Sequence, residues 1–195
     1  MSAEAPATLE LGCGNRKRHP EAIGIDAIDY PAVDVVGDVF DVLARIPGGS
    51  VKAIYSYHAL EHLTDLERLM SELRRVVVTG GRLNAVVPHF SNPYFYSDYT
   101  HRTAFGLYSF SYLASDSLFR RRVPRYVRDT GFRLQDVRLR FKSGRPFYVR
   151  HAFALLIGGV VNSTRMTQEL YERAFCYLFP CYEIEFDLVR VDEQG

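Results

Sequence analysis

Apolar positions in the first half of the chain fall into short runs rather than long periodic stretches. Thr8–Leu11, Ala22–Ile25, Val33–Val36, Val51–Tyr57 and Leu83–Val87 are rich in β-branched residues and bounded by Gly, Pro or Asp. Runs of this length and composition predict buried parallel strands. Between the fourth and fifth the period changes. Leu60, Leu63, Leu66, Leu69, Met70, Leu73 and Val77 recur at spacings of three and four, which predicts a helix stopped by Thr79-Gly80-Gly81. Strand, helix, Gly-Gly and strand make a βαβ crossover. The first two connections are shorter than the dozen or so residues that parallel strands usually need. Gly14 to Ala22 holds Arg16, Lys17, Arg18, His19 and Pro20, and Asp26 to Asp34 holds Asp29-Tyr30-Pro31. The covering helices are therefore vestigial or replaced by loop. One sheet face is left thinly covered near its start, or covered by a partner subunit in a homodimer.

After Pro88 the periodicity fails. His89–Tyr112 is dense in Tyr, Phe, His, Asn and Ser, which predicts an ordered aromatic cap over one end of the sheet. Ser115–Gly131 reads as a helix carrying Arg120, Arg121, Arg122, Arg125 and Arg128. Phe132–Phe141 alternates apolar and charged residues, as a strand with one wet face does. Ala152–Val161 and Thr167–Phe179 read as two more helices, and Tyr182–Val191 as a last strand. No repeat or linker divides residues 1–195, so one domain is expected.

Composition narrows the class. A hydrophobic share of 47% and a charged share of 24% are those of a soluble globular protein. Cys13, Cys176 and Cys181 are odd in number and lack zinc-like spacing, which predicts free thiols in a reducing compartment. Met1–Thr8 has neither the basic start nor the apolar core of a signal peptide, and Ala152–Val161 is too short to span a bilayer. A cytoplasmic protein without a transmembrane segment is expected. The net charge of +1 hides an asymmetry. Residues 1–70 hold 11 Asp and Glu against 6 Lys and Arg, while residues 116–150 hold 3 against 11. An acidic front suits a cationic cofactor, and a basic back suits an anionic substrate, surface or partner, or is simply a solvated arginine face.

Ligands of open α/β sheets bind beyond the carboxyl ends of the strands. After the first run, Gly12-Cys13-Gly14-Asn15 lets backbone approach a ligand, and Glu10 can orient that loop or meet a cation. After the second, Asp26 can accept from both hydroxyls of a ribose. After the third, Gly37-Asp38, with Val39 beside it, places a carboxylate where an adenine amino group could donate. Ser56, Tyr57 and His58 follow the fourth.

These residues, Glu10–Asn15, Asp26, Gly37-Asp38 and Tyr57-His-Ala-Leu-Glu-His-Leu63, resemble class I S-adenosylmethionine-dependent methyltransferases, in particular small ones with an LEHL segment. The resemblance covers Leu9–Pro88 well and the remainder in general plan. It implies a Rossmann-like α/β fold with a seven-stranded, mostly parallel sheet. The last strand, Glu183–Val191, would run antiparallel beside Arg133–Phe141. Residues 8–88 would bind S-adenosylmethionine, and residues 89–195 would form the cap and substrate half. The Gly12–Gly14 turn would hold the methionine part, Asp26 the ribose and Asp38 the adenine. The family's third glycine falls at Arg16, which could reach the cofactor carboxylate. A general base is expected among His101, His89 and His58, with His101 first because it lies in the cap. Tyr94, Phe95, Tyr96, Tyr99, Phe105 and Tyr108 could wall an acceptor pocket or form the cap's own core.

The expected reaction is methyl transfer to a small-molecule or glycan-like acceptor at oxygen. The Asn/Asp-Pro-Pro-Tyr/Phe segment of DNA adenine methylation is absent, which argues against nucleic acid, although Arg120–Arg122, Arg125 and Arg128 keep phosphorylated or carboxylated substrates open. A non-catalytic S-adenosylmethionine-binding or scaffold protein is the first alternative. An NAD(P)-dependent oxidoreductase is the second, and Asp38 and Leu60–Leu63 speak against it. His58-Ala-Leu-Glu61-His62 also spells an H-x-x-E-H zinc motif. His58 falls at a strand-to-helix junction, so one helical face cannot be assumed for both histidines, and no metal is expected.

Overall fold

Seven strands form one sheet in the order β3-β2-β1-β4-β5-β7-β6. They are β1 (Ala7–Leu11), β2 (Ile23–Asp26), β3 (Val35–Val36), β4 (Val51–Tyr57), β5 (Val77–Pro88), β6 (Phe132–Arg140) and β7 (Glu183–Arg190). A computed structural model describes residues 6–115, 117–124, 126, 131–144 and 146–192. The first five strands are parallel, and β7 lies antiparallel between β5 and β6, as expected. Both halves of the chain contribute to this one sheet.

The register sorts the side chains. Leu9, Ile54, Leu83, Leu188 and Leu134 form one row across five strands. All five are buried. The helices α1 (Val39–Arg45) and α2 (Leu66–Val76) belong to the core on this face, with Leu43, Leu69, Met70, Leu73 and Val76 buried. Fully burying one such side chain contributes about 1.5–3 kcal/mol. From the cap, which contains the short helix α3 (Pro93–Ser97), Phe105 and Phe110 come close to Phe186 of β7.

The opposite face is polar and partly wet. Its matching row is Glu10, Tyr55, Asn84, Asp187 and Asp136. Arg82 lies 3.9 Å from Asp187, and Asn84 donates to Glu185 at 3.1 Å. The connections β1–β2 and β2–β3 are loops, as their length predicted. The first loop supplies its own cover, since the His19 ring stacks on Tyr55 with centroids 3.6 Å apart.

Four expectations change. The 60–77 periodicity breaks into a 3-10 turn at Leu60–His62 and the helix α2, which Asp65 caps by accepting from Arg68 N–H. Thr79-Gly80-Gly81 lies inside β5 and stops no helix, because the β-branched Val77-Val78-Thr79 already runs extended. No helix forms across 117–124, where Pro124 lacks an N–H and three arginines adjoin. Asp116, Arg125 and residues 127–130, Arg128 among them, lie outside the described residues. The last helix, α5 (Arg165–Ala174), starts at a capping box between Thr164 and Thr167 and ends before Phe179.

Helix α4 (Tyr148–Val161) leads to α5 through Asn162, which blunts the sheet edge. The Asn162 amide accepts from Leu139 N–H at 3.0 Å and donates to Leu139 C=O at 2.7 Å. Gln168 and Arg165 donate to Val137 C=O, each at 2.8 Å. No helix among the described residues is long and apolar enough to cross a membrane.

Candidate active site

The turn after β1 is fixed by backbone geometry. Gly12 and Gly14 have φ of +66° and +59°, in the left-handed region that glycine occupies without strain. A Cβ on Gly12 would stand 2.2 Å from the Ala59 Cβ, so this turn and the segment after β4 approach as only glycine permits. Gly14 has no such neighbour within 4 Å and faces open space. Asp26, at the tip of β2, accepts from Gly14 N–H at 2.8 Å and from Ile28 N–H at 2.9 Å, one bond to each oxygen. Asp38 caps α1 by accepting from Phe40 N–H at 2.9 Å.

Around these groups lies a cavity of about 490 Å³, within the usual size of a small-molecule site. Gly12, Gly14, Asp26, Asp38 and Val39 line one side. His58, Ala59, His62, Leu63 and Thr100 line the other. An adenine nucleoside fits the chemistry. Open space meets a glycine turn, and the two carboxylates keep lone pairs beyond their backbone bonds.

The other residues singled out from the sequence stand elsewhere. Glu10 is buried behind the turn and accepts from Arg18 N–H at 3.0 Å and His19 N–H at 2.9 Å. It orients the loop, one of the two roles the sequence allowed. Tyr57 belongs to the opposite sheet face, where its hydroxyl is 2.9 Å from His19 Nε2 and the Arg18 guanidinium lies 4.1 Å over its ring. Burial pushes its phenol up. Cys13 is buried and its thiol is likewise raised by desolvation. Asn15 and Arg16 are exposed and outside the cavity lining. Lys17, which the sequence reading passed over, ties the loop to β2–β3 by a 2.6 Å ion pair with Asp34.

The three histidines separate. His89 is fully buried, with Nδ1 2.8 Å from Ser91 Oγ and Nε2 3.3 Å from Glu172. It pins the cap to α5 with both ring nitrogens engaged, which corrects its expected place among the bases. His58 has φ +56°, a strained value for a non-glycine residue. Its Nε2 lies 3.1 Å from Glu183 and its Nδ1 3.6 Å from Glu61. Those carboxylates raise its pKa to about 9, so at neutral pH it is a cation and not a base. Burial would raise the Glu183 carboxyl, but bonds from His58 and Lys142 outweigh it and hold the pKa at about 2.

His101 is oriented for proton acceptance. Its Nδ1 is 2.8 Å from Phe95 C=O, and a carbonyl only accepts, so Nδ1 carries the hydrogen and Nε2 is free. That Nε2 is 3.7 Å from Asp98 and 4.0 Å from Glu61. His101 is not in the lining itself but stands beside His62, with ring centroids 5.0 Å apart. Sequence reasoning did not assign Glu61, His62 or Thr100 to the site. The one local signal in the sequence is the Glu61-His62 pair of the H-x-x-E-H motif.

Comparisons agree with this geometry. Residues 9–85 match the family model for a methyltransferase domain. A search of curated proteins finds no match. Among solved structures, an S-adenosylmethionine-dependent methyltransferase from Archaeoglobus fulgidus superposes with a TM-score of 0.63 at 17% identity, covering 95% of this chain and 86% of that one. Phosphoethanolamine N-methyltransferase 2 from Haemonchus contortus gives 0.56 at 13%, covering 98% of this chain and 50% of that one. A geranyl diphosphate methyltransferase in complex with S-adenosylmethionine gives 0.55 at 13%, covering 96% and 79%. The chain therefore has the fold of these methyltransferases, and its residues 9–85 match a methyltransferase domain; none of these matches singles out the LEHL subtype.

Proposed function

We propose, from a methyltransferase domain as premise, that this protein transfers a methyl group from S-adenosylmethionine to an oxygen of a small-molecule or glycan-like acceptor. The observation that carries the reading is the cavity itself, walled on one side by Gly12, Gly14, Asp26 and Asp38 and on the other by histidines. S-adenosylmethionine, when bound, supplies an electrophilic methyl group on a sulfonium. In this reading the Gly12–Gly14 backbone faces the methionine part. Asp26 and Asp38 use their remaining lone pairs for the ribose hydroxyls and the adenine amino group. Glu10 and Tyr57 act through the loop they brace.

Transfer to oxygen needs an acceptor proton removed as the bond forms. His101 Nε2 takes it in this reading, with the Phe95 carbonyl holding the ring in the required tautomer. The His58 cation, flanked by Glu61 and Glu183, adds no net positive charge near a sulfonium. Thr100, from the His89–Tyr112 segment, lines the same cavity.

Isothermal titration with S-adenosylmethionine and S-adenosylhomocysteine tests the reading. Wild type is expected to bind both, and Asp26→Ala to bind at least about tenfold more weakly, the equivalent of one hydrogen-bonded charged group. No binding by wild type, or unchanged binding by Asp26→Ala, would refute it.

A further inference from the structure

We propose that Glu61, His62 and His101 form a binding site for a first-row divalent metal ion of the zinc class at the edge of the cofactor cavity. One donor atom from each lies within 4.8 Å of the other two. The sequence alone predicts no metal, because His58 and His62 cannot be assumed to share a helical face. That objection stands, since His58 is committed to Glu183 and Glu61. The fold substitutes His101, delivered from the cap, for the histidine the motif would have used.

Three features make this more than a chance cluster. Glu61 is 1% exposed; its Oε1 lies 4.0 Å from His101 Nε2, and its Oε2 has no hydrogen-bond partner, a costly state for a buried carboxylate oxygen. In both imidazoles Nδ1 is the engaged nitrogen. The Thr100 hydroxyl donates to Asp98 at 2.5 Å, so it accepts from His62 Nδ1–H at 3.0 Å. His101 Nδ1–H is taken by Phe95 C=O, so in each ring Nε2 keeps its lone pair. The segments are also fastened together, because Arg102 N–H and Thr103 N–H donate to Glu61 C=O at 2.7 and 3.0 Å.

Two imidazoles and one carboxylate suit zinc, iron, cobalt or manganese better than magnesium or calcium. Zinc needs its donors about 2.0–2.2 Å away, so the set must contract, with the exposed His62 pivoting on its Thr100 bond. Ligating histidines are usually oriented by an acceptor on the other ring nitrogen, the place taken here by the Phe95 carbonyl and the Thr100 hydroxyl. His62 and Thr100 line the cavity, so an open coordination position would face an acceptor there. With the ion bound, His101 Nε2 is a ligand and no longer a proton acceptor. The ion would supply Lewis acidity toward an acceptor oxygen in the cavity.

The site does not depend on the cofactor reading and is tested apart from it, on the purified full chain without S-adenosylmethionine. Titration calorimetry with zinc chloride and ligand-field absorption with cobalt(II) are the readouts. One site per chain is expected, weakened at least about tenfold by His62→Ala, His101→Ala or Glu61→Gln, and about tenfold by Thr100→Val through loss of ring orientation. His151→Ala on α4 is expected to change nothing. Binding unchanged in His62→Ala and in Glu61→Gln, or no saturable zinc binding by a chain that binds S-adenosylmethionine, overturns the proposal. Zinc binding by a chain that fails to bind S-adenosylmethionine supports the metal site and counts against the proposed function alone.

Discussion

Replacing Gly12 with alanine, with Gly14→Ala as its control, separates two costs that a glycine turn usually confounds. Both positions have φ near +60°, so each alanine incurs the left-handed penalty of about 1–2 kcal/mol. They differ in space. The new methyl at Gly12 would lie 2.2 Å from the Ala59 Cβ, against nothing within 4 Å at Gly14. Relieving that overlap means moving the turn or the β4 exit, at about 1–3 kcal/mol on the scale of overpacked cores. The expected losses are about 2–5 kcal/mol for Gly12→Ala and about 1–2 for Gly14→Ala. For a chain of this size each kcal/mol lowers Tm by about 2–4 °C, so the pair should differ by roughly 2–12 °C in scanning calorimetry. Ala59 also lines the cavity, so Gly12→Ala should weaken S-adenosylmethionine beyond the effect of destabilisation. Equal Tm values for the two variants would refute the contact argument, and a wild-type Tm for both would refute the backbone argument as well.

His58 gives a pH signature of definite sign. Its pKa is raised from 6.5 to about 9, so its stabilisation is complete below 6.5 and fades as pH climbs through 9. The urea midpoint gap between wild type and His58→Asn should shrink from pH 6 to pH 10, and a constant gap would contradict the His58–Glu183 coupling. His101→Gln is expected to lower kcat far more than it changes the KM for S-adenosylmethionine, and equal losses in stability and rate would argue for a structural role. His89→Gln should do the reverse. It leaves Glu172 and Ser91 short of a partner, costs about 1–3 kcal/mol in a chemical melt, and spares kcat in the folded protein.

Local chemistry was legible in the sequence, and long-range convergence was not. The strand runs were readable because β-branched residues cluster between breakers, and β4 spans Val51–Tyr57 as expected. Gly12, Gly14, Asp26 and Asp38 were readable because a turn and the carboxylate tips of strands act within a few residues of themselves. Helix α1 leaves little mark in the sequence because Val39–Arg45 is only two turns long and its cap, Asp38, reads equally well as a ligand. Glu10 and Tyr57 could have been sorted from the lining by counting alternate residues, since Glu10 points away from the Leu9 and Leu11 face. The misplacement of His89 has a different cause. An aromatic-rich stretch looks the same in sequence whether a given ring forms the cap's interior or its inner wall. His62, Thr100 and His101 meet only because the cap folds back over the exit of β4, which no periodicity encodes.

The amide of Asn162 occupies the place where a neighbouring strand would present its own N–H and C=O to β6. Gln168 and Arg165 extend that imitation by one more carbonyl. At the other border, β3 is only two residues long. Neither margin therefore offers a free ladder, and the sheet resists polymerising edge to edge. The same substitute strand makes the α4–α5 junction intolerant of insertions, since one added residue would pull the amide out of register and expose a template for aggregation.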